Sequence, residues 1–335
     1  MSARKGSTGG ASWRRLTPAA RYQLGLAATV VGLFSILAAG YPHFADPANI
    51  EVMMMNFILE AFMALGMTAV IITGGIDLSV SAVLPFAAIL TGLLLRAGAP
   101  VPVAIGCALA ASAGVGVVNA TMRNVFRVHA FIATLATMLL LKGVNLVITR
   151  GAPIAGFPEG FAWLGQGRIL GMPCALVLFA ALAVAAGYLL ANHRYGQQLY
   201  LIGGNPRAAE LSGVRVERVL VAVYMLSSSL AGLAGIIAAS QYLSASTGFG
   251  QNSELRVIAA VAIGGASLNG GTGSIAGSVL GVLFLAIVYN AFAMSGVSTY
   301  WQDVVGGVMV LAAVLLARVA ARESRARGVF GSVAK

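Results

Sequence analysis

Residues 52–79 read VMMMNFILEAFMALGMTAVIITGGIDLS, a long apolar run with one acidic residue, Glu60, that stops at a pair of glycines. A helix that crosses the hydrocarbon core of a bilayer needs about 20 predominantly apolar residues. The run over 52–73 meets that length and lacks the alternation of apolar and polar residues that marks the strands of a membrane β-barrel. The segment therefore predicts a transmembrane helix that breaks at Gly74 and Gly75.

The rest of the chain repeats this pattern. Of its 335 residues, 59% are hydrophobic and 9% are charged, whereas a soluble domain carries roughly 25% charged residues. Because helices then remain the way to satisfy backbone polar groups in lipid, the sequence predicts an all-α, polytopic transmembrane bundle without a separate soluble domain. About ten spans are expected, some of them broken, near 24–40, 52–73, 79–97, 101–122, 130–148, 172–191, 220–242, 254–268, 272–294 and 300–317.

The basic residues predict the orientation, because Lys and Arg accumulate in cytoplasmic loops. With the N-terminus inside, 16 of the 21 lie in the cytoplasm, and Lys142 lies in a span. The four that lie outside are Arg96, Arg150, Arg168 and Arg256. Both ends are therefore expected in the cytoplasm, with a tail at 1–23, a transmembrane domain at 24–317 and a second tail at 318–335. The longest cytoplasmic loop covers about 192–219.

Several kinds of function do not fit the sequence. The basic residues behind the net charge of +11 border spans and do not form a patch interleaved with aromatic residues, so nucleic-acid binding is not expected. The histidines are scattered, and Cys107 and Cys174 have no metal-ligand spacing around them. No phosphate-binding loop of the form G-x-x-x-x-G-K-[ST] occurs. We therefore expect no metal, no cofactor, no catalytic site and no ATP binding by this chain itself.

Charged residues in or near the spans are candidates for function, because a charge at the bilayer centre costs about 2.5–3.5 kcal/mol on insertion scales. They are Glu60, Asp77, Lys142, Glu254 and Asp303. Glu254 and Asp303 lie near predicted span ends, where a solvated interfacial position explains them equally well. Glu60 and Lys142 lie deeper, and a structural polar contact between helices is their simplest alternative role.

Asp77 follows the first glycine pair. Its carboxylate would suit the N-cap of the next helix, where backbone N–H groups and the positive end of the helix dipole favour a negative charge. A broken helix also exposes polar backbone where a polar solute can pass. The two roles are compatible, and both are kept.

A second glycine pair, Gly264-Gly265, lies 190 positions after the first and shares Gly, Gly and Leu with it. Internal repeats are common in transporters. Three identities in a glycine-rich chain are explained equally well by chance, so the repeat is left as one of two alternatives.

The cytoplasmic loop contains NPRAAELSG at 205–213, which predicts a short helix. Asn205 would be its N-cap, Pro206 its first residue and Gly213 its terminator. Such a helix is either a simple surface feature or a docking element for a cytoplasmic partner.

Four segments together resemble the ribose, arabinose and autoinducer permease family of ABC importers. They are GGIDLS at Gly74, FIATLATM at Phe131, IGGNPRAAELSGV at Ile202 and IAAVAIGGASLNGGTGSIAGSVLG at Ile258. The segments extend from residue 74 to 281, and the spacing of the apolar runs outside them also fits.

The resemblance implies a multi-pass permease of the bacterial inner membrane that performs no covalent chemistry. It implies a dimer with a second permease copy or a paralogue, a cytoplasmic ATP-binding subunit and a periplasmic or lipid-anchored sugar-binding protein. It also implies that the 205–213 helix couples the permease to the ATPase.

The sequence departs from the family pattern at four positions. Ser81 replaces a usual glycine, and Ala130 and Ala136 replace a usual proline and glycine of the FIATL segment, so the local helix breaks are expected to be weaker. Lys142 stands where relatives often carry arginine, which preserves the charge but not the planar donor fork.

Together these features predict an alternating-access path for a monosaccharide or small sugar-like solute. The residues expected to line or shape the path are Gly74, Gly75, Asp77, Ser79, Asn119, Thr134, Thr137, Lys142, Asn145, Gly264 and Gly265. Those expected to couple it to the ATPase are Gly204, Asn205, Pro206, Ala208, Ala209, Glu210, Leu211 and Gly213. The alternatives are a secondary transporter with Asp77, Glu60 and Lys142 as ion or proton sites, and a passive channel.

Overall fold

The computed structural model describes residues 17–296 and, beyond them, 298, 301, 304, 306–308 and 311. The helices within 17–296 are α1 (Pro18–Gly40), α2 (Pro47–Ile72), α3 (Val80–Arg96), α4 (Val101–Asn124), α5 (Ala130–Thr149), α6 (Trp163–Gln166), α7 (Cys174–Asn192), α8 (Arg194–Gly204), α9 (Pro206–Leu211), α10 (Val216–Tyr242), α11 (Ser253–Ile263) and α12 (Ile275–Met294). The strands are β1 (Ile154–Ala155), β2 (Arg168–Ile169), β3 (Met172–Pro173) and β4 (Ser244–Ala245).

Seven of the described helices are long and apolar enough to cross a membrane, namely α1, α2, α4, α5, α7, α10 and α12. Helix α3 is also apolar but has 17 residues, which makes it about 25 Å long at 1.5 Å per residue. The expected all-α, multi-pass architecture is therefore confirmed.

One of the ten predicted spans is shorter than expected, and another falls largely outside the described residues. The helix predicted over 254–268 is wrong in its extent: α11 has 11 residues and ends at Ile263, because Gly264 and Gly265 terminate it. Its length of about 16 Å is half of the hydrocarbon thickness. The span predicted over 300–317 falls largely outside the described residues, as does Asp303, although residues 301, 304, 306–308 and 311 are helical.

Helix α1 begins at Pro18, so residues 18–23 of the segment assigned to the N-terminal tail are helical. Thr17 caps it, since its Oγ1 accepts a hydrogen bond from the Ala20 backbone N–H at 3.2 Å.

Helices α2 and α10 form the centre of the bundle. Helix α10 packs against α2, α3 and α4, and small residues let the backbones approach. A Cβ added to Gly66 of α2 would lie 2.6 Å from Ser227 Cα, and Gly116 and Gly235 approach Tyr224 and Leu84 even more closely. Such contacts favour helix packing in lipid, where apolar surface alone does not drive helices together.

Helices α1, α5 and α7 lie at the periphery. Helix α1 packs against α12, α5 against α3 and α4, and α7 against α2 and α12. Their outer faces expose large apolar side chains such as Val31, Leu140, Val147 and Val184. A surface this apolar suits contact with lipid tails.

The connection between α5 and α7 packs over one end of the bundle. Strand β1 pairs antiparallel with β4, with Ile154 opposite Ala245. Phe157 and Phe161 are buried beside this pair, and Phe161 accepts a hydrogen bond through its backbone carbonyl from Ser240 Oγ at 2.5 Å. This end of α10 is therefore fixed on the side of the bundle opposite α8 and α9.

Candidate functional site

The carboxylate of Asp77 lies in a hydrogen-bond network that joins four helices. It is fully buried in the turn between α2 and α3. Its Oδ1 accepts hydrogen bonds from the Ser79 backbone N–H at 3.1 Å and from Ser79 Oγ at 2.5 Å, and its Oδ2 accepts one from Ser227 Oγ of α10 at 2.8 Å. Ser79 Oγ in turn accepts a hydrogen bond from Asn119 Nδ2 of α4 at 2.8 Å. We name these four side chains the Asp77 network.

This geometry corrects the capping role expected for Asp77. Ser79 is the N-cap residue of α3 and makes no capping bond through its side chain. Asp77 Oδ1 accepts one hydrogen bond from a backbone N–H, that of Ser79, just before the helix. Its Oδ2 accepts a hydrogen bond from Ser227 of α10. Asp77 is thus a bridge between helices more than a cap.

Both glycine breaks are confirmed. Helices α2 and α11 each end in a glycine with positive φ, Gly74 at 73° and Gly265 at 90°. The backbone N–H groups of these glycines and of the residues after them bond back to the last helical turn, which is the Schellman arrangement. The positive φ falls on the first glycine of one pair and the second of the other, so the two breaks correspond at a shift of 191 and not at the 190 suggested by the sequence.

Three backbone segments meet where α2 ends. A Cβ on Gly203 at the end of α8 would collide with the Ile72 carbonyl oxygen, and one on Gly270 would lie 2.9 Å from Gly74 Cα. The Gly271 N–H donates to the Ile72 carbonyl at 2.9 Å. We name this contact between the ends of α2 and α8 and the loop after α11 the glycine junction. No side chain fits inside it, so the backbone of α8 at Gly203 contacts the backbone at the end of α2.

Tyr200 also ties α8 to that loop. Its phenolic O–H donates to the Gly273 carbonyl at 2.8 Å. Burial raises the pKa of Tyr200 above its ordinary value, so the phenol stays protonated and remains a donor at neutral pH.

Arg123 lies at the same end of α2 and was not among the residues expected from the sequence. Its Nη2 donates to the Thr73 carbonyl at 3.4 Å, and its Nη1 donates to the Tyr224 hydroxyl at 3.5 Å. A cation is stabilised there by the last carbonyls of a helix. From the sequence, Arg123 was included only among the basic residues predicted to be cytoplasmic. Its neighbours in the sequence do not distinguish it from the other arginines of that group.

Helix α5 brings the expected polar residues to the α2–α3 turn and to α3. Thr134 Oγ1 lies 3.2 Å from the Ile76 carbonyl, and Asn145 Nδ2 donates to the Ala82 carbonyl at 3.2 Å. Thr137 is half-buried and bonds within its own helix, to the Ala133 carbonyl. Asp77, Ser79, Asn119, Thr134 and Asn145 therefore surround the start of α3. Gly264 and Gly265 lie apart from them, next to α12 and α1 respectively.

Lys142 is the remaining expected path residue. Its Nζ lies 3.9 Å from Glu254 Oε1, which links α5 to the first turn of α11. The lysine side chain is 39% exposed and the glutamate side chain 9% exposed. This contact matches the helix-to-helix alternative for Lys142.

The loop helix has the predicted form. It is α9, and Asn205 Oδ1 accepts from the Ala208 N–H at 3.1 Å. Gly213 adopts a φ of 84° and completes a Schellman end. Ala209 is 2% exposed and faces the bundle, whereas Leu211 is 86% exposed. A partner would therefore meet Leu211 and not Ala209. Gly203, which was not among the residues expected to take part in coupling, makes the close backbone approach to α2, whereas a Cβ on Gly204 would meet nothing within 4 Å.

A polar cavity of about 310 Å³ lies between α2, α11 and α12. Its walls include Asn56, Phe57, Glu60, Arg256, Tyr289 and Asn290. Glu60 Oε1 accepts hydrogen bonds from Arg256 Nη2 at 2.8 Å and from Arg256 Nε at 3.3 Å. Glu60 thus makes the structural contact foreseen as its alternative role. From the sequence, the distribution of basic residues placed Arg256 outside. Its pairing with Glu60 was not foreseen, because 196 positions separate the two residues.

An amide pair adjoins this cavity. Asn49 and Asn290 exchange two hydrogen bonds through their side-chain amides, each at 3.1 Å. The pair connects the first turn of α2 to the C-terminal part of α12. Neither asparagine stood out in the sequence, since an isolated asparagine in an apolar run gives no sign of its partner.

Comparisons with known proteins point to one family. The profile described as branched-chain amino acid transport system / permease component matches residues 49–314. The ribose import permease protein RbsC of Escherichia coli K12 is 40% identical over 288 residues, which cover 85% of this chain and 90% of the relative.

Two further relatives agree with these matches. RbsC of Bacillus subtilis 168 is 40% identical over 279 residues, covering 83% of this chain and 87% of that protein. The L-arabinose ABC transporter permease protein AraH of Azospirillum brasilense is 30% identical over 302 residues, covering 90% and 89%. No solved structure matches the chain.

Proposed function

Since the chain belongs to the permease-component family of branched-chain amino acid transport systems, we propose that it forms the membrane path of a bacterial ABC importer. The solute is a monosaccharide or a small sugar-like molecule. The observation that carries this proposal is the 40% identity to a ribose import permease over 90% of that protein's length. The family description names amino acids, but the relatives that align along most of the chain carry the names of sugars.

Energy comes from a separate subunit in this proposal. The chain is the non-catalytic permease, and a cytoplasmic ATP-binding subunit hydrolyses ATP. A periplasmic or lipid-anchored sugar-binding protein delivers the solute, and a second copy or a paralogue completes a dimer. None of the comparisons favours the secondary transporter.

We place the permease in the inner membrane with ten crossings and both ends in the cytoplasm. The charge bias of the loops supports this orientation, which places the end of the bundle with α8 and α9 in the cytoplasm. The half-length α11 then crosses together with the non-helical segment before it. Such discontinuous helices occur where a transporter surrounds its solute.

The residues expected to line or shape the path divide into two roles. Gly74, Gly75, Gly264 and Gly265 provide the helix breaks. Polar residues around the start of α3 hold the helices that must move, namely Asp77, Ser79, Asn119, Thr134 and Asn145. The burial of these five supports a shaping role more than direct contact with solute. Thr137 and Lys142 lie elsewhere on α5, where Thr137 bonds within its own helix and Lys142 contacts Glu254 of α11.

Coupling is assigned to α8 and α9. The segment from Gly204 to Gly213 presents Pro206, Arg207, Ala208, Glu210 and Leu211 on its exposed surface. Ala209 anchors that surface to the bundle. Motion of an attached ATPase would pass through α8 into the glycine junction, because Gly203 touches the end of α2.

Uptake measurements test this function. Cells that express the chain with the ATPase and the binding protein encoded beside it are expected to accumulate labelled sugar. Accumulation should disappear when the ATPase is inactivated and should persist when an ionophore collapses the ion gradients. Collapse by the ionophore would support the secondary transporter, and flux in liposomes without any partner would support a channel.

A further inference from the structure

We propose that the cavity between α2, α11 and α12 is a binding station for an uncharged polyhydroxylated solute, in which the Glu60–Arg256 pair orients the hydroxyl groups. This inference rests on the proposed function and assigns to its path a specific solute contact. The residues differ from those expected from the sequence, except for Glu60.

The cavity lies at the depth where a solute must pass. Glu60 is near the middle of the 26-residue α2, and 12 residues, or about 18 Å of helix, separate it from the break at Ile72. Transporter sites typically lie near the bilayer midplane, beside discontinuous helices. The half-length α11 supplies Arg256 from its first turns.

The size and lining of the cavity fit a small ligand. Its volume of about 310 Å³ is at the lower end of the roughly 300–1,000 Å³ found for ligand pockets. Phe57 and Tyr289 lie side by side with ring centroids 5.5 Å apart and provide an apolar surface for the C–H face of a sugar ring. The polar groups of Asn56 and Asn290 complete the walls.

The ion pair leaves one oxygen for the solute. Both hydrogen bonds from Arg256 converge on Glu60 Oε1. Glu60 Oε2 is buried and has no hydrogen-bond partner among the residues that the structure describes. A buried carboxylate oxygen without a donor is costly. Rotation of the Glu60 side chain would present this oxygen to the cavity, where a sugar hydroxyl can donate to it while accepting from an asparagine amide. Because the pair is neutral overall, it favours an uncharged solute over an ion.

A second cavity beside the first is apolar and smaller. It shares Phe57, is lined by apolar side chains such as Ile58, Leu176 and Phe179, and measures about 90 Å³. It has no polar group to orient a solute and lacks the volume for one. Helix packing alone thus leaves a small apolar gap here, whereas the Glu60 cavity is larger and polar.

Protection from thiol labelling tests the site without depending on transport. Asn56→Cys is introduced in the full-length chain lacking Cys107 and Cys174, and its rate of modification by a small methanethiosulfonate is measured in membranes with ribose, arabinose or galactose. At least one sugar is expected to slow modification by about threefold or more. Ala293→Cys on the opposite wall serves as a second reporter should Asn56→Cys fail to insert. Ala48→Cys, exposed at the start of α2, should react at one rate throughout.

Charge variants then test the Glu60 contact. In the reporter chain, Glu60→Gln and the neutral double variant Glu60→Gln/Arg256→Gln should raise the sugar concentration needed for half-maximal protection by about tenfold or more, the loss expected for a hydrogen bond to a charged group. The matched control is Glu51→Gln/Arg168→Gln, which removes an exposed ion pair near one end of α2 and should leave protection unchanged.

The outcomes separate this site from the proposed function. If no sugar slows modification at either cavity cysteine, or if the double variant keeps full protection, the station is refuted, even where ATP-dependent sugar uptake continues. If sugars protect but uptake does not depend on the ATPase, the station stands and the energy source is wrong. Protection by leucine in place of sugars would overturn the solute class.

Discussion

Ser227 on α10 donates a hydrogen bond of 2.8 Å to Asp77 across 150 positions of sequence. This bond fixes the α2–α3 turn to the central helix of the bundle. The other carboxylate oxygen binds Ser79, so the charge of Asp77 is shared between local and distant partners.

Asp77→Asn is expected to assemble and to retain appreciable ATP-dependent uptake. Asparagine keeps an acceptor but loses the charge, which should cost about 1–3 kcal/mol of stability, because hydrogen bonds to a charged group are the stronger ones. Thermal unfolding of the detergent-solubilised chain, followed by size-exclusion chromatography, measures this cost. Ser227→Ala removes a single donor and should cost less. Loss of accumulation with exchange intact would instead indicate a proton-coupled role for Asp77.

Gly203→Ala should insert but lose most ATP-dependent uptake. The added methyl group collides with the Ile72 carbonyl oxygen, so α8 must shift away from the break. Gly187→Ala on α7 is the matched control, since its methyl group would make an ordinary contact of 3.8 Å with Ile275. Uptake and co-purification of the ATPase are measured together. Wild-type uptake by the Gly203 variant would show that the glycine junction does not transmit motion.

Leu211→Asp is expected to abolish co-purification of the ATPase at a normal level of inserted permease. A charge at an exposed apolar position disturbs docking but not folding, because the side chain contacts little of its own chain. Leu170→Asp provides the control, since Leu170 is 96% exposed on a hairpin expected outside. Equal recovery of the ATPase with both variants would show that α9 is a surface helix without a docking role.

Thiol accessibility tests the orientation. In a chain lacking Cys107 and Cys174, a cysteine at Gly160 should be labelled from outside by a membrane-impermeant reagent, because this exposed position lies in the predicted outer connection. A cysteine at Ser212 should react only after the inner membrane is opened. Labelling of Ser212→Cys in cells whose outer barrier alone is permeabilised would reverse the topology.

The sequence predicts local features of this fold well. Apolar runs of sufficient length located α2, α4, α10 and the other long helices, since hydropathy reports directly on the bilayer. Glycine pairs and Asn205–Gly213 located the helix ends, because caps depend on neighbouring residues. Hydropathy overestimated α11, as an apolar segment of suitable length need not be helical throughout.

Contacts between helices were beyond sequence reasoning. Asp77–Ser227, Glu60–Arg256 and Asn49–Asn290 each join residues more than 140 positions apart. Hydropathy shows which segments enter the membrane but not which faces meet, and lipid-embedded helices pair through small and polar residues that are individually inconspicuous.

The glycine junction has a mechanical consequence. Its surfaces touch backbone to backbone, and such contacts are stiff when pushed together because atoms resist overlap steeply. Two hydrogen bonds described above oppose their separation in series: Tyr200 to Gly273 joins α8 to the loop after α11, and Gly271 N–H to Ile72 joins that loop to α2. A force on α8 toward the bundle is therefore delivered at once to the end of α2, whereas a force away from it first stretches two hydrogen bonds. The glycine junction therefore transmits a push from the loop helices to the membrane helices more directly than it transmits a pull.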